Sequence, residues 1–232
     1  MTELNEAMRK LELPDRIRRL PVSPKGYPVP WFVAWLIPDN RGGYFECAPT
    51  VEGAEPDFRI MGAGKISKAH RLHKCWICGE PTGVRKAFVI GPMCAINRIS
   101  SEPPSHRECA EFAARACPFL TKPRMRRNED GLEGMIDDPA GIMIKRNPGV
   151  ALVWITRDYR RVSGGNKGSL FKVGDPEELL WFCEGRTATR AEVLASIESG
   201  LPILRKTAEE DGPRALLELK AMTERAMQLV PV

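Results

Sequence analysis

Cys75-Trp76-Ile77-Cys78-Gly79, followed after 25 residues by Ser105-His106-Arg107-Glu108-Cys109, is the part of this 232-residue sequence that decides its fold. Two cysteines two residues apart can ligate one ion if the backbone turns sharply between them, and a glycine after the second eases that turn. Ser105 and Glu108 have the spacing of a capping box, which predicts a helix from Ser105 to about Ala116. On such a helix His106 and Cys109 fall in the first turn, three apart and on one side, where both can face the same metal. Cys75, Cys78, His106 and Cys109 are therefore the expected zinc ligands. Cys94, with 15 residues between it and Cys78, is also within ligand reach. If it binds, His106 or Cys109 is freed; otherwise it is a buried thiol on a strand.

Between the two pairs, Ala87–Ile90 and Cys94–Ile96 are short apolar runs separated by Gly91-Pro92, which suits a hairpin. Knuckle, hairpin and ligand-bearing helix is the order of a treble-clef zinc finger, which this segment resembles. A closed site of four protein ligands staples a unit with little core of its own. Two catalytic readings compete with it. His106-Arg107-Glu108 fits the His-x-Glu of a zinc deaminase with Glu108 as proton shuttle, but the cysteine pair precedes it here, and Cys109 fills the position that a catalytic zinc leaves open. A His-metal nuclease needs a histidine on the hairpin, and residues 80–105 contain none.

Around the cysteines the chain is basic. Lys65, Lys68, Arg71, Lys74, Arg85 and Lys86 face a single acid, Glu80, between positions 65 and 86. With Trp76 as an aromatic platform, these residues form a candidate nucleic-acid surface. His70 and His73 on the same stretch are expected to be a solvated pair. The formal charge of +5 is uneven: residues 175–225 hold 11 acids and 7 bases, so the remainder carries +9. The alternative is a non-enzymatic protein-interaction factor that inhibits or adapts a host machine through an apolar N-terminal arm and the acidic helical end.

Further out, residues 1–30 begin with a short amphipathic helix and become proline-rich, which predicts an extended surface arm. Trp31–Ile37 reads as a buried strand, with a second around Asp57–Met61. A zinc domain over 31–121 is followed by a basic link, Lys122–Asn128, and an α+β domain over 129–232. Strands are expected at Gly141–Lys145, at Val150–Arg157 (apolar on both faces, hence central) and at Ser169–Val173 after a glycine-rich turn. Thr189-Arg190-Ala191-Glu192 is a capping box for a helix stopped by Gly200; Leu201-Pro202 and Gly212-Pro213 start two more. Ala215, Leu219, Met222, Ala226 and Leu229 give the last one an apolar seam for the chain's own core.

The overall expectation is an α+β protein: a treble-clef-like zinc unit joined to a mixed core with a helical C-terminal end. At 43% hydrophobic and 28% charged residues the composition is globular and argues against disorder. No run reaches the roughly 20 apolar residues of a membrane span. The first residues are acidic and polar, unlike a signal peptide, so the expected location is cytoplasmic. The seven cysteines are then thiols or metal ligands rather than disulfides.

At Trp31-Phe32-Val33, Gly91-Pro92-Met93-Cys94-Ala95-Ile96-Asn97-Arg98, Glu102-Pro103-Pro104-Ser105-His106 and Cys117-Pro118-Phe119-Leu120 the chain resembles a family of phage and actinobacterial proteins. The similarity extends to Arg146-Asn147-Pro148-Gly149-Val150 and Glu184-Gly185-Arg186. The resemblance implies a phage or mobile-element origin and supplies no catalytic residue.

Overall fold

The computed structural model describes residues 3–39, 43–122, 125, 147–165 and 168–232. In chain order they form α1 (Glu6–Arg9), α2 (Asp15–Arg18), β1 (Val33–Pro38), β2 (Tyr44–Cys47), β3 (Glu55–Met61), α3 (Lys65–Arg71), β4 (Lys86–Ile90), α4 (Pro92–Asn97) and β5 (Ile99–Ser100). There follow α5 (Arg107–Ala116), α6 (Pro118–Thr121), β6 (Val150–Thr156), β7 (Tyr159–Ser163), β8 (Ser169–Val173), β9 (Glu178–Cys183), β10 (Arg186–Thr187), α7 (Arg190–Asp211) and α8 (Pro213–Met227). The strands build three antiparallel sheets, ordered β2-β1-β3, β10-β9-β6-β4 and β5-β8-β7. The fold is α+β, as expected. None of the described helices is long and apolar enough to cross a membrane.

The strand β6 is buried along its whole length, because both of its faces are covered. Leu152 and Trp154 join the main core, with α4 (Met93, Ile96), α7 (Val193, Ile197) and α8 (Ala226). Val153 and Ile155 pack on the other side against Ala110 and Ala114 of α5, whose small side chains let the helix approach the sheet closely. The Trp154 indole N–H donates to the Gly174 carbonyl at 3.0 Å, so this buried ring leaves no donor unpaired. The expected domain boundary between 121 and 129 is crossed by two of the sheets, since β4 pairs with β6 and β5 with β8.

Several local expectations are corrected. Residues 91–97 are not the second arm of a hairpin: Pro92 opens the helix α4, and β4 finds its partner in β6. A short apolar run fits either conformation, and Pro at the first helical turn favours the helix. The helix α7 does not stop at Gly200. It runs for 22 residues through Pro202, and a Cβ on Gly200 would lie 2.7 Å from the Met93 sulfur, so that glycine serves close packing. The last helix starts as read, and of its seam Leu219, Met222 and Ala226 reach the core together with Leu229, which follows the helix end at Met227, whereas Ala215 does not. The N-terminal segment is not a surface arm, because Met8, Leu13, Ile17 and Val29 are all buried. The strand expected at Gly141–Lys145 and most of the Lys122–Asn128 link lie outside the described residues.

Candidate metal centre

The knuckle sits in the turn between α3 and β4. Gly79 adopts the left-handed region at φ 76°, and its Cα lies so close to Trp31 that a Cβ would meet the indole at 2.5 Å. The second half comes from the start of α5. The N-cap of that helix is His106, not Ser105: Ser105 exchanges two backbone hydrogen bonds with Ala87, at 2.7 and 2.9 Å, and so stays extended. This bridge ties the start of α5 to β4, and is distinct from the hairpin expected between Ala87–Ile90 and Cys94–Ile96, which does not form. The shift by one residue removes the capping box. The Glu108 carboxylate instead accepts from Arg16 Nε at 2.9 Å.

Cys75, Cys78, His106 and Cys109 converge so that their ligand atoms all lie within 4.8 Å of one another. The Cys78 and Cys109 sulfurs are 3.4 and 3.9 Å from His106 Nδ1. Ligands ~2.0–2.3 Å from a tetrahedral ion would be separated by about 3.5–3.8 Å, so the cluster has the size of a metal site. Its outer contacts fit as well. His106 Nε2 lies 2.9 Å from the Pro81 carbonyl, which can only accept, so Nε2 carries the proton and Nδ1 presents a lone pair to the cluster. The backbone amides of Cys78 and His106 both donate to the Cys75 sulfur at 3.4 Å. Burial pushes the Cys75 thiol up, but hydrogen bonds from Cys109, Cys78 and His106 outweigh it and bring the thiol down. The same crowding, led by Cys75, pushes Cys109 up. Together these residues are able to hold a metal ion. Cys94 is not among them; it is exposed on α4 rather than buried on a strand.

The N-terminal segment covers this centre, and sequence reasoning missed it. Leu13 and Ile17 pack on Cys75, Ile77 and Cys109. The Arg16 guanidinium bridges Glu80 beside the knuckle and Glu108 on α5, and Arg19 adds a second contact to Glu80 at 2.7 Å. The available signal was the i, i+4 pair Leu13/Ile17 next to Arg16, masked by the surrounding prolines.

The expected nucleic-acid residues do not form one face. Trp76 is 3% exposed, stacked on Phe32 at 4.7 Å between centroids, so it is not a platform for bases. Lys65 Nζ lies 4.2 Å above the Trp31 ring, and burial followed by the nearby Lys68 holds its pKa below the ordinary lysine value. Lys74 donates to the Gly79 carbonyl, Arg85 pairs with Glu177, and the Lys86 ammonium is held by the Gly83 carbonyl. That leaves Lys68 and Arg71, exposed on α3. They line a depression of about 620 Å³ together with Ser67, His70 and Arg161 of β7. His70 is not a solvated residue: its ring packs on Tyr159 and Phe171, and burial, then Arg161 and His73, lower its pKa.

Comparison with protein-family models, with curated proteins and with solved structures gave no match to this chain.

Proposed function

We propose that the chain is a nucleic-acid-binding protein whose binding surface is held in place by one structural zinc ion. Three thiols and an imidazole suit zinc, and four protein ligands complete its tetrahedron without an open position for water. Glu108, the residue a deaminase would use as proton shuttle, is engaged by Arg16 instead. The observation that carries the binding reading is the depression on α3. Lys68, Arg71 and Arg161 converge there, no acid among the described residues lines it, and His70 adds little charge at neutral pH because its pKa is lowered. In a phage or mobile element, to which the sequence resemblance points, such a site would meet phosphate backbones. Contacts of this kind position without reading sequence and release counterions.

A gel-shift series with labelled DNA and RNA tests this. Binding is expected at ~50 mM salt and should weaken about a hundredfold or more by ~200 mM if several contacts form. Changing Lys68, Arg71 and Arg161 together to glutamine should weaken it for every sequence alike. No shift at low salt would overturn the reading.

One observation favours the alternative, a protein-interaction factor that inhibits or adapts a host machine. In the sheet β2-β1-β3, Phe45 and Phe58 are 62% and 47% exposed. The N-terminal arm cannot serve that role, because its apolar side chains are spent on the metal centre.

A further inference from the structure

Arg160 and Arg161 are consecutive exposed residues of β7, and consecutive side chains of a strand point to opposite faces. Arg161 lies on the inner face, where its Nε donates to Ser169 Oγ at 2.6 Å and its guanidinium borders the depression with Lys68 and Arg71. Arg160 lies on the outer face, directly opposite Lys172 of β8 in the register. Like charges in that position repel. Among the described residues neither has a carboxylate partner. Lys172 in turn borders a groove of about 460 Å³ between α4, β8 and α8, where Arg98 and Arg225 are also found. The floor of the groove is apolar, formed by Ala95, Ile96 and Ala226. Its one acid, Asp175, is held by Arg98 at 2.7 Å. Cations thus continue from the α3 depression, around the open edge of β7, across β8 and into the groove.

We infer that this band is the track of a single strand of nucleic acid, held by its phosphates from the α3 depression over β7 into the α4–α8 groove. The inference rests on the nucleic-acid reading above and names the substrate class. The track passes from one face of a sheet to the other within two residues. A duplex is stiff, with a persistence length of about 150 base pairs, and cannot follow such a turn; a single strand can. Among the described residues no aromatic side chain lines the groove, so the contacts there are to the phosphate chain and are independent of sequence. Among the described residues no strand pairs with the outer edge of β7, which offers further backbone donors along the way.

Fluorescence polarisation of the full chain tests this. The probes are oligodeoxythymidylate of about 20 nucleotides and a mixed-sequence duplex of about 20 base pairs, longer than the site of a single small binding module. The wild-type protein is compared with Lys68→Gln/Arg71→Gln and with Lys172→Gln/Arg225→Gln. All four side chains are exposed, and circular dichroism confirms that the variants fold. The single strand should bind at least about tenfold more tightly than the duplex. Each double variant should weaken single-strand binding and flatten the salt slope by about 1.4, at ~0.7 per lost phosphate contact. If the duplex binds as well as the single strand, or if Lys172→Gln/Arg225→Gln binds like wild type, the track is overturned and the α3 site stands alone. If only Lys172→Gln/Arg225→Gln weakens binding, the groove is the site and the continuous track is overturned. If neither probe binds, the nucleic-acid reading itself fails.

Discussion

The knuckle shows how much one residue can decide. Gly79 must satisfy two demands together: a left-handed backbone, so that the chain turns back under Cys75, and close contact with the Trp31 indole. The turn is closed by the Gly79 amide donating to the Cys75 carbonyl at 2.9 Å, and by the Cys75 amide donating to the Glu80 carbonyl at 2.7 Å. Alanine meets neither demand. Left-handed backbone costs a non-glycine residue roughly 1–2 kcal/mol, and overpacking against a ring adds about 1–3 kcal/mol. Gly79→Ala is therefore expected to destabilise the protein by about 2–5 kcal/mol and to lower its zinc content below the one ion per chain expected of wild type. Elemental analysis and a denaturant titration check both. A variant with unchanged stability and a full metal site would show that the turn is not held as described, and a folded, metal-free wild type would remove the zinc. The four-residue cluster was legible from sequence, because each pair is local and its spacing is set by a turn or a helix. The Leu13/Ile17 cover was not, because its partners lie about 60 to 95 residues away along the chain.

Elements were legible where a local signal had no competitor. The run Val150–Thr156 has no polar face and could only be a central strand, and it is one. At Gly200 the stop signal competed with a packing demand, and the contact with Met93, more than 100 residues earlier, decided it. The α7 start needed no such arbitration. Thr189 Oγ accepts from the Glu192 amide, and the Glu192 carboxylate accepts from the Thr189 amide at 2.8 Å. Thr189→Ala removes the first of these and should cost about 1 kcal/mol, read as a lower midpoint in urea. The Glu192 carboxyl also titrates with folding. The Arg186 guanidinium, then the Thr189 amide, holds it well below the usual glutamate range. A depressed carboxyl stabilises the native state above its unfolded value of about 4.3 and loses that contribution as pH falls through the folded value. Glu192→Gln removes this titrating carboxylate and should thus cost less stability in acid than at neutral pH, and a cost independent of pH between about 7 and 3 would contradict this account.

For the whole molecule, the shared sheets lead to the expectation that the cysteine–histidine unit and the C-terminal half fold as one unit. The sequence suggested two domains because the basic link interrupts the pattern, and strand pairing across such a link leaves no local mark. In the structure β4 is at once the strand that leads out of the knuckle and the edge of the central sheet, paired with β6 from Lys86↔Thr156 to Ile90↔Leu152. The α5 helix likewise donates His106 and Cys109 at its start and covers Val153 and Ile155 with Ala110 and Ala114 further along. A fragment of residues 129–232 would keep β6, β9, α7 and α8 but lose β4, α4 and α5. One face of β6 would then be bare and one edge unpaired, leaving an open apolar strand that invites aggregation. The fragment is therefore expected to be insoluble, or to lack the dispersed amide spectrum and cooperative melting of a packed domain. Dispersed signals and a sharp transition in that fragment would refute the single-unit account. By the same coupling, chelating the proposed zinc from the intact chain should cost protection against hydrogen exchange in β4 and β6 as well as around Cys75, Cys78, His106 and Cys109, because loosening α5 uncovers the sheet it packs on.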